Sequence, residues 1–301
     1  MTLNELRYIV AVAQERNFRR AAERCFVSQP ALSLAIQKLE EELGVQLFER
    51  SRAEIKLTLV GNLVVEQAAR VLDEAAKIRA LANQGANQLA GPLKLGVIHT
   101  IGPYLLPSLI AALREIAPAM PLEVEEGTTA NLEKQLRNSV LDVVIVALPF
   151  AIAGVQTTNL YDEPFVVVVP SHHAWADKEK VIPSELANEK VLLLNNSHCF
   201  SNQVLEACPE LSRTGEVLQG NSLETIRNMV ASGLGIAVLP ASATSVNYRN
   251  PLLRVIPFIE PAPTRRVALA YRKSFSRPDV VAALVKATAA IESDFFLPIN
   301  D

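Results

Sequence analysis

Cys199 and Cys208 lie nine positions apart, and His198 directly precedes the first of them. An imidazolium beside Cys199 and a helix start just after it would both favour the thiolate, the reactive form of a cysteine. A short helical segment is expected from Ser201 to Ala207, with Cys208 following it before Pro209. Nine helical rises of ~1.5 Å would hold the two α-carbons ~13 Å apart. A disulfide needs roughly 4.4 to 6.8 Å. The two thiols can therefore bond only if the intervening segment unwinds, which is the behaviour of a switch. The competing reading is a pair of buried packing cysteines, the default for free thiols.

Further polar groups fall where strands are expected to end. His99-Thr100 closes Leu93 to Ile98, Gly127-Thr128-Thr129 follows Leu122 to Glu125, and Asn195 to Cys199 follows Val191 to Leu194. Ligands of open α/β sheets gather beyond the carboxyl ends of strands, so these groups can share one pocket. His172-His173 have no third ligand nearby and read as a surface turn; no spacing supports a metal site, and no cofactor is expected. Neither a glycine-rich phosphate loop nor a Ser-His-Asp set appears, which argues against a nucleotide enzyme or a hydrolase.

The elements around these groups alternate strand and helix. Further strands are expected at Asp142 to Ala147, Phe165 to Val169, Ile236 to Leu239 and Val267 to Ala270. Helices are expected at Pro103 to Ile116, Asn131 to Asn138, Ser222 to Ser232 and Pro278 to Glu292. Two crossings between halves fall near Tyr161 to Pro164 and Pro263 to Arg266. The pattern is that of an α/β fold.

The first 60 residues follow a different grammar. Ala21 and Ala22 permit a close helix approach, Phe26 and Val27 carry a turn, and Ser28 sits at an N-cap with Pro30 in the first turn. Leu32, Ile36, Leu39 and Leu43 form one apolar face, and Gln29, Pro30, Ala31, Ser33 and Lys38 lie opposite. This is a helix-turn-helix offering short polar groups to base edges. Arg16, Arg19, Arg20 and Arg24 read as a basic stripe toward phosphates, and Ile55 to Thr58 as a wing with Arg50 and Arg52 beside it. Residues 1–60 hold nine basic against eight acidic residues, a net +1, leaving −4 for the rest of a chain at −3. Affinity for DNA must come from local placement of charge. Cys25 reads as packing.

From Gly61 to about Gln88 the chain reads as one long helix. Val64, Ala68, Val71, Ala75, Ile78 and Ala82 recur at spacings of four and three, a coiled-coil seam suited to dimerisation. Docking on the chain's own body is the alternative. Asn83 to Gln88 and Gly91-Pro92 read as a hinge. No basic-then-apolar leader opens the chain, no apolar run approaches the ~18 residues of a membrane span, and three cysteines do not make a disulfide framework. A cytoplasmic protein is expected.

Ala21-Ala22, Val27-Ser28-Gln29-Pro30, Leu32-Ser33, Leu39-Glu40, Leu43-Gly44 and Leu47-Phe48-Glu49-Arg50 resemble the LysR-type transcriptional regulators. Over essentially the whole chain the resemblance sharpens to the peroxide-sensing branch of that family. It is carried by Thr100 to Pro107, Leu160 to Phe165, His198-Cys199-Phe200, Gln203 to Leu205 with Cys208, Gly220 to Arg227 and Pro263 to Val267. The resemblance implies a winged helix-turn-helix over 1–60, a linker and dimerisation helix with hinge over 61–90, and an α/β effector domain over 91–301. That domain would comprise two periplasmic-binding-protein-like subdomains, about 91–163 with 267–301 and about 164–266. It implies hydrogen peroxide as signal, Cys199 as the reactive thiol and Cys208 as its resolving partner. Thr100, Thr129 and His198 would position the peroxide oxygens, with Arg265 nearby. Implied partners are double-stranded DNA, a homodimer pairing into a homotetramer, and RNA polymerase. A small organic effector in the cleft, or a thiol peroxidase activity, are the alternative readings. Members of that branch commonly carry Gly before the His, Arg-Asp two residues after the Cys, and an Asn-Tyr-Thr loop. Here Ser197, Ser201, Asn202 and Gly127-Thr128-Thr129 stand in those places.

Overall fold

The computed structural model describes residues 1–50, 55–82, 88–209, 211 and 218–299. The chain divides into two units, Met1–Ala86 with two short segments, Arg137–Val140 and Ser274–Ser276, and the remainder.

In the first unit, α1 (Leu3–Glu15) starts on a capping box, Thr2 with Glu5. Asn17 caps α2 (Phe18–Arg24) by accepting from the N–H groups of Arg19 and Arg20. Ser28 caps α3 (Gln29–Leu43), which stops at Gly44 in the left-handed region that favours glycine. The strands β1 (Phe48–Arg50) and β2 (Ile55–Leu57) pair antiparallel, Phe48 opposite Leu57. Helix α4 (Leu59–Ala82) follows. Leu6, Ile9, Ala21, Ala22, Leu32, Ile36 and Leu39 share one core with Leu47, Phe48 and Val65. Glu40 is buried beneath β1 and accepts from Leu47 N at 2.7 Å and Phe48 N at 3.2 Å, fixing the start of that strand to α3. Gly61 is required by contact: a Cβ there would lie 2.1 Å from the Leu47 carbonyl oxygen.

The second unit is built on one nine-stranded mixed sheet. Its elements are β3 (Leu93–Ile98), α5 (Gly102–Ile116), β4 (Leu122–Gly127), α6 (Thr129–Arg137), β5 (Val143–Ala147) and β6 (Val155–Pro170). They continue with β7 (Val191–Leu194), α7 (Cys199–Ala207), β8 (Leu218–Gly220), α8 (Leu223–Ala231), β9 (Ile236–Pro240), β10 (Leu253–Pro257), β11 (Thr264–Arg272) and α9 (Pro278–Ala289). Strand order is β4-β3-β5-β11-β6-β9-β7-β8, with β10 also paired to β6. Strands β5, β7 and β9 are buried along their whole length, which explains why they read as unbroken apolar runs.

Two long strands cross from one half to the other. β6 and β11 pair antiparallel from Thr264 opposite Pro164 to Arg272 opposite Val155, with a bulge at Val267/Ala268. Beyond that ladder the second half of β6 carries β9 and β10, while β11 carries β5 on its other edge at Val267 to Tyr271. The crossings expected near Tyr161 to Pro164 and Pro263 to Arg266 fall within these strands. Arg272 closes one half by donating to the carbonyls of Leu136 and Leu141. Arg277 donates to the carbonyls of Gln88, Ala90, Gly91 and Pro92, clasping the segment that leads into β3.

Candidate functional site

Strand β7 delivers the chain to a polar turn. Asn195 N donates to the Gly220 carbonyl, and the Asn195 amide donates to Asn221 Oδ1 at 3.0 Å. Ser197 N and Oγ both donate to Asn195 Oδ1. This turn ends at His198, the N-cap of α7, whose side chain makes no capping bond. Cys199 is the first residue of α7 and half-buried, and Cys208 is its buried C-cap. The helix covers the full interval between the thiols, two residues more at its start than the sequence suggests. Phe200 and Val204 anchor it in the core, with the Phe200 ring edge-on to Phe165 at 5.1 Å.

His198 is buried, and its Nε2 lies 3.1 Å from the Asn221 carbonyl. A carbonyl only accepts, so Nε2 carries the proton and Nδ1 holds the lone pair. Burial pushes His198 below the usual histidine value; the bond to Asn221 opposes this and nearby His99 adds to it. At neutral pH His198 is therefore an uncharged base. This corrects the imidazolium expected beside Cys199: desolvation, invisible in the sequence, removes that charge. The α7 N-terminus remains as the local positive field, with N–H groups free of a side-chain cap.

Arg265 is fully buried against Glu163 at 2.7 Å. Glu163 also accepts from Ser242 N at 3.1 Å. Arg265 donates to Thr100 Oγ1 at 2.9 Å and to the Thr100 carbonyl at 2.8 Å, and its guanidinium stacks over Phe200 at 5.2 Å. The ion pair thus holds Thr100 in place. Because Thr100 Oγ accepts from Arg265, its own proton is left to donate elsewhere. Thr129, at the start of α6, has a buried hydroxyl without a hydrogen-bond partner, and so does the Gln203 carbonyl oxygen, whose amide donates to the Leu148 carbonyl at 3.0 Å. Edge-on contact between the His198 and His99 rings at 5.8 Å joins the start of α7 to the end of β3, where Thr100 lies. The ends of β3 and β7 and the start of β11 thus bring Thr100, His198 and Arg265 to one region, and β4, whose Gly127 pairs with Ile98, places Thr129 beside the end of β3. Glu163 and Asn221 had no expected role. An acid standing one proline before the apolar run Phe165 to Val169 is the signal that could have exposed Glu163.

The DNA-reading groups sit as follows. Ser28, Gln29, Pro30, Ala31 and Lys38 are exposed on α3, and Ser33 is half-buried. The basic stripe is corrected. Arg16 caps α1 in the left-handed region and is not on α2. Arg20 and Arg24 both engage Glu15, at 3.5 and 3.1 Å, and Arg19 pairs with Glu23. A carboxylate from the preceding helix occupies what looked like a free cationic face. Arg50 ends β1; its side chain and the whole of Arg52 lie outside the described residues. The seam of α4 is used partly within its own unit. Ala68 is buried and Val64 and Val71 lean on the same core, whereas Ile78 is 69% exposed. Ala75 is half-buried, and the Ala82 side chain lies outside the described residues. Leu59, Val60 and Leu63 are exposed apolar residues of the first turns. Cys25 packs against the first core, and burial pushes its thiol up. Among the described residues no group of His, Cys, Asp and Glu is placed to hold a metal, and no helix is long and apolar enough to cross a membrane.

The chain belongs to the LysR family of bacterial regulators. The family described as "Bacterial regulatory helix-turn-helix protein, lysR family" matches residues 3–62, and "LysR substrate binding domain" matches residues 86–290. Within that family the chain is similar to the DNA-binding transcriptional dual regulator OxyR of Escherichia coli K12, 41% identical over 273 residues and 90% of each chain. It is also similar to the structure of a full-length OxyR mutant from Pseudomonas aeruginosa, 51% identical with a TM-score of 0.87 over 96% of this chain and 95% of that one. A hydrogen-peroxide-bound OxyR mutant of Corynebacterium glutamicum is 34% identical with a TM-score of 0.65, over 95% of this chain and 91% of that one.

Proposed function

We propose that this chain is a DNA-binding transcriptional regulator of oxidative-stress genes that senses hydrogen peroxide through Cys199 and stores the signal as a Cys199–Cys208 disulfide. The observation that carries this reading is the arrangement at α7. A half-buried thiol opens the helix beside an uncharged base, and a buried thiol closes it. Nδ1 of His198, the neighbouring base, takes the thiol proton, and the negative charge that develops on sulfur lies at the start of α7. The thiolate attacks one peroxide oxygen, the O–O bond breaks, and the departing hydroxide regains that proton and leaves as water. Thr100, Thr129 and Arg265 support this step by orienting the peroxide, Arg265 through its grip on Thr100. The Cys208 sulfur then displaces hydroxide from the sulfenic acid, giving the disulfide and a second water.

Closing the disulfide requires α7 to unwind, which releases Phe200 from Phe165 and Gln203 from Leu148. A loop of about ten residues is constrained by roughly 2.5 to 3 kcal/mol in the chain-entropy model. The reduced fold is the more stable one, and the covalent bond holds the oxidised fold. The exposed tip of α3 supports the reading of promoter DNA in the major groove. Exposed apolar residues on α4 support assembly as a dimer, which pairs into a tetramer and acts on RNA polymerase in the cytoplasm. Peroxide is a signal here and not a substrate turned over.

Mass spectrometry of peroxide-treated protein should find a peptide linked through Cys199 and Cys208. Cys199→Ser should abolish it, and Cys208→Ser should leave a sulfenic acid at Cys199 with no stable second DNA footprint. An unoxidised Cys199 after modest peroxide would sink the sensing claim. Sustained peroxide consumption with added reductant would favour a thiol peroxidase.

A further inference from the structure

Among the described residues Phe26 is the most exposed large apolar side chain, with 95% of its surface facing solvent. It also has a left-handed backbone, φ +56°. Bulky residues rarely adopt that conformation, and they persist in it where the surroundings enforce it. Here the enforcement is visible. Phe26 N donates to the Glu23 carbonyl at 3.1 Å, and Val27 N donates to the Ala22 carbonyl at 3.0 Å. Val27 packs on the core while Phe26 is turned outward. The chain thus accepts backbone strain to display an aromatic ring almost wholly to solvent.

The place of the display is informative. Phe26 stands two residues before Ser28, the cap of α3, and continues the exposed surface formed by Ser28, Gln29, Pro30 and Ala31. That surface is the base-reading tip of a LysR-family helix-turn-helix. Among the groups lining a major groove, the thymine C5-methyl is the apolar one, and Phe is among the side chains that contact it. Phosphates and the other base edges call for donors, acceptors or charge, which a phenyl ring lacks. We propose that Phe26 is a specificity-determining residue whose ring covers a thymine methyl at the edge of the sequence read by α3. The proposal rests on the DNA-binding reading above.

The test begins by selecting duplexes bound by the full-length protein from a random-sequence pool. Each thymine of a selected duplex is then replaced in turn by deoxyuridine, which lacks only the methyl. At one thymine position or more, loss of the methyl should weaken the parent about fourfold, the scale of one buried methyl group. Phe26→Ala should bind the thymine duplex at least as much more weakly and be indifferent to uridine at that position. Phe26→Leu, which keeps an apolar contact, should retain part of the uridine effect. Uridine that is silent everywhere, or equally harmful to Phe26→Ala, overturns the proposal. So does a Phe26→Ala that weakens all duplexes alike, which would place the ring on the backbone, or one that lowers the oligomeric mass, which would place it between copies. Failure of the parent to select any duplex would instead remove the DNA-binding reading itself.

Discussion

The starts of α3 and α7 are both helix N-termini at the proposed sites, and they are finished in opposite ways. At α3 the cap is complete: Ser28 Oγ accepts from Ala31 N, and the residues around it are exposed. At α7 the cap residue is a buried histidine whose ring bonds to Asn221, leaving the helix N–H groups without a side-chain acceptor. A capped terminus is already satisfied and reads its partner with side chains on a fixed frame. An uncapped terminus keeps its donors and its positive end for an anion that arrives later. The first arrangement suits a static reader, the second a site where negative charge develops during a reaction.

The comparison can be broken most forcefully at Arg265. Arg265→Met leaves Glu163 buried without its cation, at a cost of about 3–5 kcal/mol. Denaturant unfolding of the second unit should show that loss. A loss under about 1 kcal/mol would mean that Ser242 N and new donors suffice for the carboxylate. In the first unit the corresponding buried acid is Glu40. Glu40→Ala strips an acceptor from Leu47 N and Phe48 N and should cost about 1–3 kcal/mol. It should also weaken DNA binding by loosening the wing, and unchanged binding would show that the wing needs no such tether.

The pH dependence of stability separates the two termini further. The unfolded chain protonates His198 near the ordinary histidine value of 6.5, the folded chain only at lower pH. Between those values the unfolded state binds more protons, so stability rises with pH across the window and is lost as pH falls below about 6.5. His198→Gln should flatten that slope in parallel melts; an unchanged slope would assign it to other groups. The smaller effects belong to α3 and its neighbour. Ser28→Ala should cost about 1 kcal/mol, a loss of a few degrees in melting temperature. Arg19→Ala should change stability by no more than about 0.5 kcal/mol, because its pair with Glu23 is mostly exposed.

Legibility followed burial and length. Leu93–Ile98 and Val191–Leu194 were readable to the residue because, Lys94 apart, every residue of those strands is buried. The first half of β6, Val155 to Asp162, was not: its outward side chains are Gln156, Thr157 and Asn159, and the pairing with β11 is supplied from more than a hundred positions away. β8 and β10 were missed for the same reason, being short, partly exposed edges. The polar groups of the second unit were legible as residues at strand ends, and their charge state was not. Neutral His198, the Arg265–Glu163 pair and the Glu15 carboxylate between Arg20 and Arg24 depend on contacts that no local spacing encodes. Periodicity in α4 marks an apolar stripe, and the chain's own core covers part of it, Ala68 with Val64 and Val71.

The pairing of the first part of β6, Val155 to Pro164, with the whole of β11 also bears on how the chain is made. The first unit draws its core almost wholly from the first 72 residues, through neighbouring helices. The sheet of the second unit cannot close its central ladder until Arg272 has followed Val155 out of the ribosome. Contacts that far apart form slowly, and synthesis runs at about 5–20 residues per second. During translation the first unit can therefore complete its core before the second unit can close its sheet.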